Sequence, residues 1–302
     1  MSPVFFDWAS SIAEDTDVLD LLGSLPRHKR QPNLVFAAAR LKGAPVGPYA
    51  VFRPWLRAHW ADVEPVVLER STQTNEAGRC AVLLPVLSRL EGPLALIEAG
   101  ASAGLCLYPD KYSYRYRAGD NIVSLDPGDG PSTVELSCQI DPVSVPERLP
   151  EVVSRSGVDL NPLDARDPSA VEWLETLIWP EHDARRIRLR AAAAVASTDP
   201  PTLLRGDLIE TIPTLVAEAP RGARVVVFHS AVLVYLEPER RAQFVELMRS
   251  MPDVTWVSNE GEHVLPEIAE QVTVPVRGRT ILSVDGQAQA LVGPHGQSYE
   301  GL

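Results

Sequence analysis

The spacing of hydrophobic residues changes once along the chain, near the Gly92-Pro93 pair. Before this pair, apolar residues such as Ile12, Leu19 and Leu22 recur at intervals that place them on one face of a helix. Glycine and proline residues divide this region into short helical segments. We therefore expect residues 1–92 to form a helical subdomain without strands.

After the Gly92-Pro93 pair, short apolar runs alternate with longer segments of mixed polarity. The runs are typical of buried strands, and the longer segments are typical of helices. Strands are predicted at residues 94–98, 203–204, 224–228 and 254–257, and helices at residues 170–178, 183–196, 208–219 and 238–251. Because parallel strands need a crossover, usually a helix, this alternation predicts a doubly wound, mostly parallel α/β sheet.

The C-terminal region alternates apolar and polar residues and has no helical segments between its runs. Three such runs lie at residues 272–276, 280–284 and 288–292. The Asp285-Gly286 pair between the second and third runs is a strong hairpin signal. We expect a C-terminal antiparallel hairpin attached to the parallel sheet.

Residues 111–154 form a different kind of segment between predicted strands of the sheet. Tyr112, Tyr114 and Tyr116 alternate as the buried side of a strand would, and residues 127–131 have the composition of a turn. We interpret this segment as an insertion that forms a β-hairpin or a lid.

The composition limits the class of protein and of partner. With 302 residues, 45% of them hydrophobic, the chain can form a sheet domain at residues 93–302 beside the helical subdomain at residues 1–92. The formal net charge is −12, from 28 basic and 40 acidic residues. This balance argues against nucleic acid or an anionic membrane as the main partner.

The cysteines and the apolar stretches bear on the cellular compartment. Cys80, Cys106 and Cys138 are widely spaced, which is typical of reduced thiols rather than of a disulfide framework or a zinc site. Residues 1–17 lack the pattern of a secretory signal, and the most apolar stretch, residues 225–236, is too short to span a bilayer. We expect a cytoplasmic protein with a small-molecule partner, and its oligomeric state stays open.

The stretch Gly100-Ala101-Ser102-Ala103-Gly104 has two incompatible interpretations. As G-x-S-x-G it matches the nucleophile elbow of a serine hydrolase, with Ser102 as nucleophile and His263 or His295 as base. An elbow of that kind normally follows several strands and an oxyanion loop, whereas the preceding residues are predicted to be helical. The hydrolase interpretation is therefore the weaker of the two.

The other interpretation is a glycine-rich cofactor loop after the strand predicted to end at Glu98. The five small residues of the loop would let a ligand approach the main chain closely. Asp159 lies at the tip of a further predicted strand after Gly157, and Asp207 and His229 follow two of the strands given above. Carboxyl ends of parallel strands line one crevice, so we expect these residues to converge there. Asp159 could accept hydrogen bonds from ribose hydroxyls, and Asp207 could meet an adenine amino group.

Several motifs together resemble a known class of enzymes. The stretches "IEAGASAGL", "GVDLNPLD", "RGDLIETIP" and "VVVFHSAVLVYL" resemble the successive motifs of class I S-adenosylmethionine-dependent methyltransferases, and more specifically a bacterial family known as domain of unknown function 2332. The resemblance covers nearly the whole chain and implies a Rossmann-like methyltransferase fold. It also implies that S-adenosylmethionine is held at its methionine part by Glu98, Gly100, Ser102 and Gly104, at its ribose by Asp159 and at its adenine by Asp207.

The chain departs from that class at two places. Ser102 stands where many methyltransferases have glycine, which is tolerated if its Cβ points away from the ligand. Asp159 follows Gly104 at a far longer interval than the roughly 20 residues usual between the loop and the ribose acid. The insertion accounts for the longer interval, and Asp120 remains a second candidate for the ribose.

Four further residues are candidates near the cofactor loop: three for catalysis, and Arg79 for binding. His229, at a predicted strand end, is a candidate base, and a structural histidine beneath the next helix is an equal alternative. Asn75 and Glu76 lie in the polar segment 72–79, which would roof the crevice, although Asn75 also suits a simple helix N-cap. Arg79 would bind a carboxylate of the cofactor or of an acidic acceptor through its planar fork.

The hypothesis from sequence is methyl transfer from S-adenosylmethionine to a small-molecule acceptor. A non-catalytic nucleotide-binding protein of the same fold is the alternative, and a serine hydrolase is a weaker one. No metal site is predicted, because Glu260, Glu262 and His263 lack the spacing of metal ligands.

Overall fold

The computed structural model describes residues 2–302, which form eleven α-helices and eleven β-strands. The helices are α1 (Pro3–Ile12), α2 (Thr16–Gly23), α3 (Pro32–Leu41), α4 (Tyr49–Ala58), α5 (Trp60–Glu69), α6 (Cys80–Leu87), α7 (Pro168–Leu177), α8 (Asp183–Thr198), α9 (Leu208–Ala217), α10 (Pro238–Arg249) and α11 (Pro266–Ala269). The strands are β1 (Leu94–Ala99), β2 (Ser113–Ala118), β3 (Asn121–Leu125), β4 (Glu135–Ile140), β5 (Val152–Asp159), β6 (Thr202–Arg205), β7 (Arg224–Ser230), β8 (Val254–Glu260), β9 (Thr280–Val284), β10 (Gln287–Val292) and β11 (Ser298–Gly301). None of the helices in this described part has the length and apolar composition to cross a membrane.

The chain divides into two compact units, and unit 1 is entirely helical. It contains α1 to α5, α7 and the first half of α8. Its core is aromatic: the ring of Trp8 stacks on Phe52 with centroids 3.7 Å apart, and the rings of Trp8 and Phe36 are nearly perpendicular with centroids 5.3 Å apart. The prediction that the N-terminal region is helical and has no strands is confirmed for residues 2–92.

The division between the units lies at Thr74 rather than at residue 92. Helix α6 belongs to unit 2, because it packs on β4 and its Ala81 carbonyl accepts a hydrogen bond from Tyr116 Oη at 2.8 Å. Helix α7 belongs to unit 1, where it packs on α3 and its Thr176 carbonyl accepts a hydrogen bond from Arg40 Nη1 at 2.7 Å. Tertiary packing, rather than chain order, sets this division.

Unit 2 contains a single sheet of all eleven strands, in the order β3-β2-β4-β11-β10-β9-β8-β7-β1-β5-β6. Six of the ten neighbouring pairs are parallel, so the predicted mostly parallel α/β sheet is confirmed. The block β6-β5-β1-β7-β8 is parallel throughout. Numbered by position in the chain, its strands follow the order 3-2-1-4-5, which is typical of doubly wound sheets.

The C-terminal hairpin is confirmed, with one strand assigned differently. Strands β9 and β10 are antiparallel, and Asp285 and Gly286 between them have φ values of 50° and 78°, as a tight hairpin turn requires. The strand predicted at residues 272–276 is wrong, since that segment is irregular and Pro275 has no N–H for a strand ladder. The unpredicted strand β11 pairs with β10 and β4 instead.

The insertion is part of the sheet. Strands β2 and β3 form the expected antiparallel hairpin, and β4 joins β2 to β11 through parallel pairing. Tyr112, Tyr114 and Tyr116 are fully buried, and the Oη of Tyr114 donates to the Pro109 carbonyl at 2.6 Å. A segment with such a core contributes to the stability of unit 2, so the hairpin interpretation holds and the lid does not.

Glu98 and His229 lie on opposite faces of the sheet. Helices α9, α10 and α11 cover one face, with a core that includes Val227, Phe244 and Trp256. Glu98 of β1 pairs in register with Phe228 of β7. Because successive side chains alternate across a strand, His229 projects to the face opposite Glu98.

Candidate functional site

The candidate site lies at the carboxyl ends of β1 and β7. The chain continues from β1 to β5 on one side and returns to β7 on the other, so the order of the parallel strands reverses here. Open α/β sheets bind ligands in the crevice outside the strand ends at such a switch point. Glu98 and Ser230 lie at the ends of these two strands, and both are buried.

The turn after β1 has a backbone that favours small residues. Gly100 has φ 72°, Ser102 has φ 52° and Gly104 has φ 68°. A Cβ on Gly100 would lie 2.5 Å from the Cγ2 atom of Val232, which belongs to the loop after β7. Gly100 is therefore needed both for its left-handed backbone and for close packing against the neighbouring loop.

Asp159, at the end of β5, lies beside this turn. Its Oδ2 accepts a hydrogen bond from the Ser102 backbone N–H at 2.8 Å, and its Oδ1 accepts one from the Asn161 N–H at 2.8 Å. The predicted proximity of Asp159 and the glycine turn is present. Asp120, the other ribose candidate, lies in the β2–β3 hairpin at the far end of the strand order.

Asp207, at the end of β6, caps helix α9. Its Oδ1 accepts a hydrogen bond from the Ile209 N–H at 2.9 Å, and its Oδ2 lies 2.7 Å from Arg240 Nη2. Burial opposes ionisation of this carboxyl, but Arg240 and the helix N–H groups outweigh that effect, so its pKa is lowered. The residue has a structural role, and it lies two strands from β1.

Asn75 and Glu76 hold the segment before α6 in place. The Nδ2 of Asn75 donates to the Ala101 carbonyl at 3.0 Å, and its Oδ1 accepts from the Leu105 N–H at 3.2 Å. Glu76 Oε1 accepts from the Gly78 N–H at 3.0 Å. Asn75 is thus more than a plain N-cap, because its amide bonds to the backbone at both ends of the glycine turn.

Arg79 is a buried cation that contacts two loops. It is 8% exposed, and it donates to the Ser230 carbonyl at 2.9 Å and the Pro294 carbonyl at 3.1 Å. A guanidinium group has five N–H donors, so these two bonds leave part of its capacity for a ligand. A Cβ on Gly296 would lie only 1.8 Å from the Gly78 carbonyl oxygen, so the β10–β11 connection packs directly on this segment.

The sequence pattern did not indicate that the β10–β11 connection packs on the segment around Arg79. The only signal in the chain is the Gly293-Pro294-His295-Gly296 turn, which resembles many ordinary turns. Its contact with Arg79 joins residues more than two hundred positions apart, and local periodicity carries no information about such pairs.

Two buried oxygens of the site have no hydrogen-bond partner within residues 2–302: Glu98 Oε2 and Ser102 Oγ. Burial raises the pKa of the Glu98 carboxyl well above its usual range, Cys106 and Asp159 add to this effect, and Arg79 opposes it. Unpartnered buried polar atoms are few in native proteins. Their presence beside a glycine turn favours a site that binds a polar ligand.

His229 is fully buried among residues of the α10 face. Its Nδ1 lies 2.7 Å from Glu260 Oε1, and its Nε2 accepts a hydrogen bond from the Trp256 indole N–H at 3.0 Å. Since the indole only donates, the Nδ1 atom carries the ring proton. Both nitrogens are engaged, and the geometry favours the structural alternative for this histidine.

The acidic residues at the end of β8 and just after it are not arranged as metal ligands. Within residues 2–302 no group of three or more His, Cys, Asp or Glu side chains could hold a metal ion. The side chain of His263 is 92% exposed, whereas Glu260 is buried beside His229. Glu260 is the site residue whose role the sequence did not indicate, because its partners come from the neighbouring strand β7.

Comparison with known proteins gives a family and no nearer relative. The family model described as "uncharacterized protein conserved in bacteria (DUF2332)" matches residues 1–300. No curated protein and no solved structure matches the chain. A functional assignment therefore depends on the geometry of this site.

Proposed function

This chain belongs to that bacterial family, and we propose that it is an S-adenosylmethionine-dependent methyltransferase acting on a small-molecule acceptor. The observation that carries the proposal is the glycine turn at the switch point between β1 and β7. Two unpartnered buried oxygens, Glu98 Oε2 and Ser102 Oγ, supply polar groups that a cofactor would satisfy. The residues present therefore fit a polar ligand of this kind.

Three side chains would hold the cofactor. S-adenosylmethionine supplies, when bound, a methyl group on a positively charged sulfur. Glu98 would bind polar groups in the methionine part of the cofactor. Arg79 would bind the carboxylate of the cofactor through the N–H groups that do not already donate to carbonyls. Asp159 would fix the turn through the Ser102 N–H and lie beside the ribose, as the resemblance to methyltransferases implies. These residues act by binding and orientation.

The hydrogen bonds of both His229 nitrogens favour a second candidate function, a nucleotide-binding protein without methyltransferase activity. With Nδ1 bonded to Glu260 and Nε2 bonded to Trp256, the candidate base has no nitrogen left for an acceptor proton. In the methyltransferase proposal His229 is therefore a structural residue. Transfer of labelled methyl groups from S-adenosylmethionine to a small-molecule extract would distinguish the enzyme from the binding protein.

The hydrolase interpretation has less support. The φ of 52° at Ser102 suits a nucleophile elbow as well as a cofactor turn. A nucleophilic serine needs a base within hydrogen-bond reach, however, and Ser102 Oγ has no hydrogen-bond partner within residues 2–302.

Calorimetric titration of the full chain with S-adenosylhomocysteine tests cofactor binding. We expect saturable heat with the wild-type protein and an affinity lower by about tenfold or more in Gly100→Ala, because the new Cβ would collide with Val232. Gly92→Ala is the matched control: Gly92 also has a positive φ, 78°, but nothing lies within 4 Å of its added Cβ.

Two results would count against the proposal. Absence of heat at millimolar ligand with folded wild-type protein would exclude the cofactor. An equal loss of affinity in Gly92→Ala and Gly100→Ala would show that the glycine turn has no special part in binding.

A further inference from the structure

The loop after β7 lies directly against the glycine turn. Ala231 has φ 54°, an uncommon backbone for a residue with a side chain, and its N–H donates to the Asn259 carbonyl at 2.9 Å. The next residue, Val232, places its side chain against Gly100. The conformation of this loop therefore determines which side chain packs against the glycine turn.

A single buried oxygen accepts two backbone N–H groups of this loop. Glu260 Oε1 accepts hydrogen bonds from the backbone N–H of Val232 at 2.9 Å, from the N–H of Leu233 at 3.0 Å and from Nδ1 of His229 at 2.7 Å. Glu260 is 2% exposed, and its Oε2 has no hydrogen-bond partner in residues 2–302. Its Oε1 atom accepts all three of these hydrogen bonds.

Two neighbouring side chains support this arrangement: Trp256 orients His229, and Arg241 bonds to carbonyls of the loop. The indole N–H of Trp256 occupies His229 Nε2, so the ring proton stays on Nδ1 and points at Glu260. Arg241 Nε donates to the carbonyls of Leu233 and Leu236, both at 2.9 Å. Glu260 thus holds the N–H groups of Val232 and Leu233, and Arg241 holds the carbonyl of Leu233.

We propose that Glu260 is a positioning residue of the cofactor site, which fixes the loop Ala231–Leu233 against Gly100 through its Oε1 atom. His229 orients Glu260 through its Nδ1 hydrogen bond and does not act on the acceptor. The effect on ligand binding rests on the proposed function, whereas the effect on the loop does not.

Amide hydrogen exchange followed by NMR tests the effect on the loop. In the wild-type protein we expect the N–H groups of Val232 and Leu233 to be protected at least about tenfold relative to Val234, whose N–H donates no hydrogen bond within residues 2–302. Glu260→Ala should remove that protection. Glu260→Gln should retain most of it, because glutamine keeps the accepting oxygen and replaces only the unpartnered Oε2.

The wild-type measurement alone can overturn the proposal, whether or not Glu260→Ala folds. Val232 and Leu233 amides that exchange as fast as Val234 would contradict it. Equal protection in folded Glu260→Ala and wild type would contradict it as well.

Calorimetry with S-adenosylhomocysteine tests the effect on the site. We expect Glu260→Ala to weaken binding by about tenfold and Glu260→Gln to restore it. Wild-type affinity in Glu260→Ala would refute the positioning role but not the methyltransferase. Absence of binding in the wild type would refute the methyltransferase, and the exchange result would still decide the role of Glu260.

Discussion

At the scale of single residues, Glu98 is a buried acid whose pKa is shifted by its surroundings. It is an acid with one unpartnered oxygen, and burial raises its pKa well above the usual value of 4.5. The folded state therefore binds a proton that the unfolded state has lost at the same pH. Consequently, this residue lowers the free energy of unfolding as pH rises from about 4.5 through the raised pKa.

Glu98→Gln should remove that pH dependence. We expect the variant and the wild type to have similar free energies of unfolding near pH 4, and the variant to become the more stable one as pH rises. Within the window the difference grows by up to about 1.4 kcal/mol per pH unit. Urea unfolding from pH 4 to pH 8 measures it.

Loss of one acidic group has its own effect on stability, so Glu91→Gln, at an exposed position before β1, serves as control. A difference between Glu98→Gln and wild type that stays constant across this pH range would show that Glu98 is ionised to the same extent in both states.

At the scale of elements, helix α9 begins at a residue with two possible roles. Asp207 accepts the Ile209 N–H and pairs with Arg240, while the resemblance to methyltransferases assigns it to adenine. An N-cap contributes about 1 kcal/mol, and an ion pair that is one-third exposed contributes less. Local geometry therefore predicts a measurable structural effect without any ligand.

We expect Asp207→Ala to lower the free energy of unfolding by about 1–2 kcal/mol, and Asp207→Asn to lower it by less than about 0.5 kcal/mol, because asparagine also caps helices. Thermal unfolding without ligand measures both. If Asp207→Ala is as stable as the wild type, the capping role is wrong. If stable Asp207→Asn loses S-adenosylhomocysteine binding, the carboxylate contributes to the ligand site as well.

At the scale of the whole molecule, the two units contain different natural probes. Five of the six tryptophans are in unit 1, and only Trp256 is in unit 2. All three cysteines are in unit 2 and buried, each 4% exposed or less. Tryptophan fluorescence therefore reports mainly on unit 1, and thiol reactivity reports on unit 2.

We expect no thiol to react with a chromogenic disulfide reagent in native buffer, and all three to react after unfolding in urea. Trp8→Ala removes the centre of the unit 1 core and should lower the stability of that unit by about 3–5 kcal/mol. Its fluorescence midpoint in urea should fall accordingly. Rapid reaction of any cysteine in native wild-type protein would contradict the burial of these thiols.

Much of the fold was predictable because side-chain periodicity is local. The period of apolar residues identified β1, β7, β8 and the helices α7 to α10, and Asp285-Gly286 identified the hairpin turn. The errors have local causes too: Pro275 interrupts a run that otherwise alternates like a strand. Strand β11 is only four residues long, which leaves too few positions for a pattern.

The site was predictable only in part. Glu98, the glycine turn and Asp159 meet because parallel strands end at one edge, which follows from the order of elements. The partners of His229 and Asn75 do not follow from it, because they lie on other strands or loops. A sequence pattern shows that a histidine lies at a strand end, but not whether its nitrogens face a ligand or the core.

The sequence by itself determined the class of the protein: a helical N-terminal region, an α/β sheet and a small-residue turn after the first strand, since these depend on the preferences of neighbouring residues. The tertiary structure decided which unit α6 and α7 join, that the insertion extends the sheet, and that Glu260 holds the loop against Gly100. The physical reason is that hydrogen bonds and packing between distant segments depend on strand order and sheet face. Residue type and spacing leave both open.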